Sequence, residues 1–120
     1  TNVISTCEEL VYPFAKEPAA SAKLHRAAVN AGVTVVGVGV NPGYIMDLLP
    51  PMLTAPCVNI KRISVTRVID ATNRRAMIHQ RIGAGLTLEQ FRENLAQGTV
   101  RHIGLAESIG LIADGLGWQL

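Results

Sequence analysis

The chain has 120 residues, 48% of them hydrophobic, with a positive mean hydropathy and a formal net charge of +2. That is enough apolar material for a folded core, which excludes a disordered segment. The charge is too small and too scattered for a nucleic-acid surface, and no apolar run approaches the ~20 residues needed to span a bilayer.

The chain begins at Thr1, and Asn2 to Cys7 already reads as the tail of a buried strand with no turn or cap before it. We therefore expect a piece of a longer protein. Val3 to Thr6 is predicted as a strand end, followed by a loop through Glu8, Glu9 and Pro13. Pro18 opens a helix over residues 19–31, with Ala20, Leu24, Ala27, Ala28 and Ala31 on one face and Gly32 as its stop. Val33 to Val40 is the next strand, nearly unbroken in its apolar character, as parallel strands buried on both faces are. Strand, helix and strand make one βαβ unit, right-handed by default.

In Gly37-Val-Gly-Val-Asn-Pro-Gly-Tyr-Ile-Met-Asp47, Asn41 stands where an N-cap belongs and Pro42 at the first helical position. Asp47 then falls in a first helical turn, where an acid favours the positive end of the dipole. Residues 44–53 are helical in pattern until Pro50-Pro51 breaks them, a joint between two domains. Residues 60–69 alternate, with Ile63, Val65 and Ile69 on one face and Arg67 beside them, as a half-solvated strand does. Residues 73–82 lean to helix and Gly83-Ala-Gly85 ends it. Thr87-Leu-Glu-Gln90 is a capping box, and Gly98 stops the helix it starts. Leu105, Ile109, Ile112 and Leu116 repeat at helical spacing, which predicts a last helix packed on the core.

His25, His79 and His102 lie in separate elements with no partner at ligand spacing, so no metal site is expected. Cys7 and Cys57 read as reduced, mostly buried thiols in a cytosolic protein. No serine-hydrolase elbow or phosphate-binding loop of the Walker kind is present. The glycines of residues 37–43 are one residue too long for a dinucleotide fingerprint, so this turn reads as a later strand's wall of the same crevice. Glu8 and Glu9, at the end of the preceding strand, flank that crevice; on local grounds they serve equally well as an acid–base group or as solvated loop carboxylates.

Asn2 to Pro13, Gly37 to Asp47, Asp70-Ala-Thr-Asn-Arg-Arg75, Arg81 to Thr87 and Gly104-Leu-Ala-Glu-Ser108 together resemble 2,4-diaminopentanoate dehydrogenases and related amine dehydrogenases, within the wider dihydrodipicolinate reductase-like group. The resemblance implies an α/β chain: residues 1–43 as the end of a Rossmann-like parallel sheet that binds the dinucleotide, and residues 44–120 as part of an α+β substrate and dimerisation domain. It implies NAD or NADP as cofactor, an amine or ketone substrate, a homodimer and a cytoplasmic setting. Carried over by position, Ser5, Thr6, Cys7, Asn41, Pro42 and Gly43 bind the nicotinamide end, and Glu8 or Glu9, Glu8 first, handles the amine and its proton. Arg74, Arg75 and Arg81 are expected at the substrate's acid group, at a facing subunit, or in solvent. Two alternatives stand beside this: a dihydrodipicolinate-type reductase, whose His-His-x-x-Lys motif is absent here, and a non-catalytic dimerisation module.

Overall fold

In the computed structural model, which describes residues 1–120, Val3–Ser5 (β1) and Val35–Gly37 (β2) pair in parallel. Val3 lies opposite Val35, Ile4 opposite Val36 and Ser5 opposite Gly37. The crossover between them contains α1, Pro18–Asn30, which opens on proline where its missing N–H is not needed and gives way to Gly32 at φ +60°. The expected strand–helix–strand unit is present, with shorter strands. The ladder extends only to the bond from Val38 N to Ser5 O, 2.8 Å. Beyond it the chain folds back, bringing the Pro42 carbonyl against the bare Cα of Gly39.

Several expectations need correction. On α1 the buried residue is Ser21, while Ala20, Ala27 and Ala31 are exposed. The Ser21 hydroxyl donates to Glu17 O at 2.7 Å, so it is satisfied inside the helix and can be buried against the Pro13–Ala15 turn. Asn41 is not an N-cap and Pro42 does not open a helix: residues 41–48 are turns, and the Asn41–Pro42 peptide is cis. Ile45 N bonds Val40 O and Leu49 N bonds Tyr44 O, each spanning five residues, wider than an α-helix allows. The helix comes later, at Leu49–Leu53 (α2), and holds Pro50 and Pro51 in its first turn. Prolines placed there sacrifice no intrahelical bond, so the pair starts a helix instead of breaking one.

Residues 60–69 form no strand. The alternation survives as half-buried Ile63, Val65 and Arg67 between exposed Arg62, Ser64 and Thr66, but no segment of the chain offers a second row of hydrogen bonds.

The chain divides into two compact units: Thr1–Thr66 with Ile103–Leu120, and Arg67–His102. In the second, Ala76–Ile82 (α3) ends at Gly83, φ +73°, where a Cβ would stand 2.7 Å from the Phe91 ring. Leu88–Ala96 (α4) carries the expected capping box: Thr87 Oγ1 accepts from Gln90 N at 3.3 Å, and Gln90 Oε1 accepts from Thr87 N at 3.0 Å. Val100 is buried here, and Arg101 N returns to Arg81 O at 3.2 Å.

The first unit closes with Leu105–Leu116 (α5), which sits on the Pro13–Ala15 turn and on α2. Its packed face is not the apolar stripe. Glu107, Ser108, Gly110 and Ala113 are buried, whereas Leu105 and Ile109 are 51% and 45% exposed. Small residues decide this, because a Cβ on Gly110 would sit 2.6 Å from the Tyr12 ring, and only a bare Cα lets that ring approach.

Candidate functional site

The carboxyl ends of β1 and β2 are hydrogen-bonded neighbours, and each runs straight into one of the predicted segments. In open α/β sheets this edge is where ligands bind. From β1, Cys7 N donates to Ser5 Oγ at 3.2 Å and the chain enters a 3₁₀ turn at Glu8–Leu10, closed by Leu10 N to Cys7 O at 3.0 Å. The turn is seated on β2, since a Cβ on Gly37 would run into the Leu10 carbonyl. Thr6, Cys7, Glu8 and Glu9 are exposed there, and Ser5 is half-buried; Cys57 is exposed as well, so the expectation of buried thiols is corrected. The Cys7 thiol donates to Glu9 Oε2 at 3.1 Å, and that bond, reinforced by the carboxylate's charge, pushes the thiol's pKa up.

From β2, Asn41 and Gly43 are half-buried and Pro42 is fully buried. Gly43 stands at φ +120°, a conformation that favours glycine, and a Cβ there would lie 2.6 Å from Gly39 N. Ser5 to Glu9 thus share one strand tip and Asn41 to Gly43 the adjacent one.

Two carboxylates of this unit, Asp47 and Glu107, are fully buried. Asp47 is 0% exposed and precedes α2, so the expectation of a first-turn acid facing a helix dipole is corrected. Its Oδ2 accepts from Gly43 N at 2.8 Å and from Ser108 Oγ at 2.7 Å, and its Oδ1 accepts from Leu48 N at 2.7 Å. Glu107 is equally buried. Lys16 Nζ stands 2.8 Å from its Oε1, an ion-pair contact without hydrogen-bond alignment, and donates to Oε2 at 3.2 Å. Such burial is tolerable only when donors meet the carboxyl oxygens.

Glu107, Ser108 and Lys16 had no place in the candidate site drawn from sequence. The available signal was the adjacent Glu107-Ser108 pair near the start of a helix whose one other charged residue is Asp114.

In the second unit, Asp70 accepts from Thr72 N at 2.8 Å and from the Thr72 hydroxyl, which holds its carboxyl below the usual range. His79 Nε2 lies 2.6 Å from Ala71 O and ties this loop to α3. Arg74 and Arg75 are exposed and Arg81 is half-buried. No group of three or more His, Cys, Asp or Glu side chains is arranged to hold a metal ion, and no helix is long and apolar enough to cross a membrane.

Residues 44–120 match the family described as the 2,4-diaminopentanoate dehydrogenase C-terminal domain. The 2,4-diaminopentanoate dehydrogenase of Acetoanaerobium sticklandii is 42% identical over 120 residues, covering 99% of this chain and 34% of that protein. The chain therefore spans about a third of the length of the relative it matches. With more than half of its residues inside the match, the chain belongs to the 2,4-diaminopentanoate dehydrogenase family.

Proposed function

We propose that this chain forms part of an NAD(P)-dependent oxidoreductase acting on a carbon that bears an amino group. The observation that carries the reading is the pairing of two strand tips, one with exposed Glu8 and Glu9 and one with Asn41 and Gly43, joined by the bond from Val38 N to Ser5 O. The family match and the name of the relative support the amine as substrate. Residues 1–43 are the end of the dinucleotide-binding domain, and residues 44–120, the span of the family match, belong to the substrate and dimerisation domain.

The residues present suit the nicotinamide end of such a cofactor. Together the tips bear hydroxyl, amide and carboxylate groups. Ser5, Thr6 and Cys7 hold it from the first tip and Asn41 and Gly43 from the second, with Pro42 packed beneath. The nicotinamide, when bound, accepts or returns the hydride.

Everything else falls to the chain. Glu8 or Glu9 pairs with the substrate ammonium and takes its proton before the C–H bond breaks. Once it has passed that proton to solvent, the exposed carboxylate offsets the positive charge of the iminium left by hydride loss; water then adds to the same carbon, the C–N bond breaks, and ketone and ammonium leave. In the reverse direction the same groups serve reductive amination.

Glu8→Gln and Glu9→Gln, each made in the full-length protein, test this. With 2,4-diaminopentanoate and either nicotinamide cofactor, one of them lowers kcat by about 10²- to 10⁴-fold. Wild-type turnover in both would remove the catalytic assignment.

A second reading, dimerisation through α5, is favoured by the exposed Leu105 and Ile109. It is compatible with the first.

A further inference from the structure

A turn at a strand tip can hold a reacting ring only if it is itself held. Residues 42–47 are gripped at both ends by one helical turn of a distant segment. At one end, Gly104, buried and at φ +91°, presents a bare Cα to the Pro42 ring, where a Cβ would lie 2.6 Å from Cγ. At the other, Ser108 Oγ donates to Asp47 Oδ2 across 61 positions. Gly104 and Ser108 are joined by the first bond of α5, from Ser108 N to Gly104 O at 2.9 Å. Between the grips, Asp47 Oδ2 also fixes Gly43 N at 2.8 Å.

We propose that Asp47, braced by Ser108, is a positioning residue that sets the Asn41–Gly43 turn against the nicotinamide. This rests on the amine dehydrogenase reading above. Asp47 touches neither substrate nor cofactor; it acts through the Gly43 backbone.

The donor set makes the acid specific. Both carboxyl oxygens accept, Oδ1 from Leu48 N and Oδ2 from Gly43 N and Ser108 Oγ. An asparagine has one accepting oxygen, so its amide NH₂ must face either Leu48 N–H or Gly43 N–H, donor against donor. Asp47→Asn keeps the volume and sets donor against donor at one of the two amides.

The test uses the full-length protein carrying Asp47→Asn, Ser108→Ala or both, with two readouts. Hydrogen exchange at whichever of the Gly43 and Leu48 amides faces the new NH₂ should be faster by about tenfold or more in Asp47→Asn, since that amide has lost its acceptor. In steady state kcat should fall by about 10- to 100-fold, the scale of a small misplacement of reacting groups, while the KM of the cofactor changes by less than about threefold. The double variant should be no worse than Asp47→Asn alone, because the two act as one unit. Ser108→Ala removes a single hydroxyl and carries the same two readouts if Asp47→Asn does not fold.

Unchanged exchange at both Gly43 and Leu48, or a kcat within twofold of wild type beside a loss of stability, would overturn the proposal and leave the functional reading standing. A wild-type protein without amine oxidation would instead remove the functional reading, and with it the ring to be positioned.

Discussion

Cys7 and Glu9 stand two residues apart on an exposed turn, and their bond has a measurable consequence. A thiol that donates to a carboxylate loses both that bond and charge neutrality when it ionises, so its pKa rises. At a given pH a smaller share is thiolate, the form that reacts. Glu9→Ala should therefore move the midpoint of Cys7 alkylation to lower pH and speed iodoacetamide labelling at pH 8, with exposed Cys57 as the internal control. An unshifted midpoint would show that the two side chains do not meet in solution. At this scale the sequence was half legible. The acids beside the strand end could be found from their position alone. Asp47 and Glu107 could not, because an acid's burial depends on donors 61 and 91 positions away, which local patterns do not encode.

Among the elements, those with local causes were readable. The capping box of α4, the proline start of α1 and the glycine after α3 each work through residues within one turn of their own position. The misreadings share another cause. Periodicity reports which face of a helix is apolar, not which face another element can approach. On α5 the approach is governed by Gly104 and Gly110, and the larger Leu105 and Ile109 are left outside. Gly110→Leu should therefore destabilise the full-length protein by about 1–3 kcal/mol or more, since the Tyr12 ring occupies the added volume. A urea midpoint lowered at unchanged slope is the expected signature. Ile109→Ala, on the exposed side, should cost far less. The alternating segment at 60–69 failed for a related reason: a strand exists only with a partner, and the pattern of one segment does not supply it.

For the whole molecule, charge and apolar surface are unevenly distributed. Of the eleven lysines and arginines six lie in residues 67–102, with three of the nine acids, so that unit carries +3 and the remainder −1. The acidic remainder bears the exposed ridge of α5. Large apolar side chains aligned on one helix face and left in water mark a contact surface, and scattered ones do not. On the dimerisation reading, the ridge of Leu105 and Ile109, one helical turn apart, meets a copy of itself across a two-fold axis, where only a residue near the axis faces its own counterpart. A charge placed at its centre should then repel its own image. In sedimentation velocity the full-length protein should run as a dimer and Ile109→Glu as a monomer, with urea stability of the monomer close to that of the parent. A dimer that survives Ile109→Glu would move the interface elsewhere. A loss of stability without dissociation would mean that the ridge is covered within one subunit, where a buried glutamate without donors is costly.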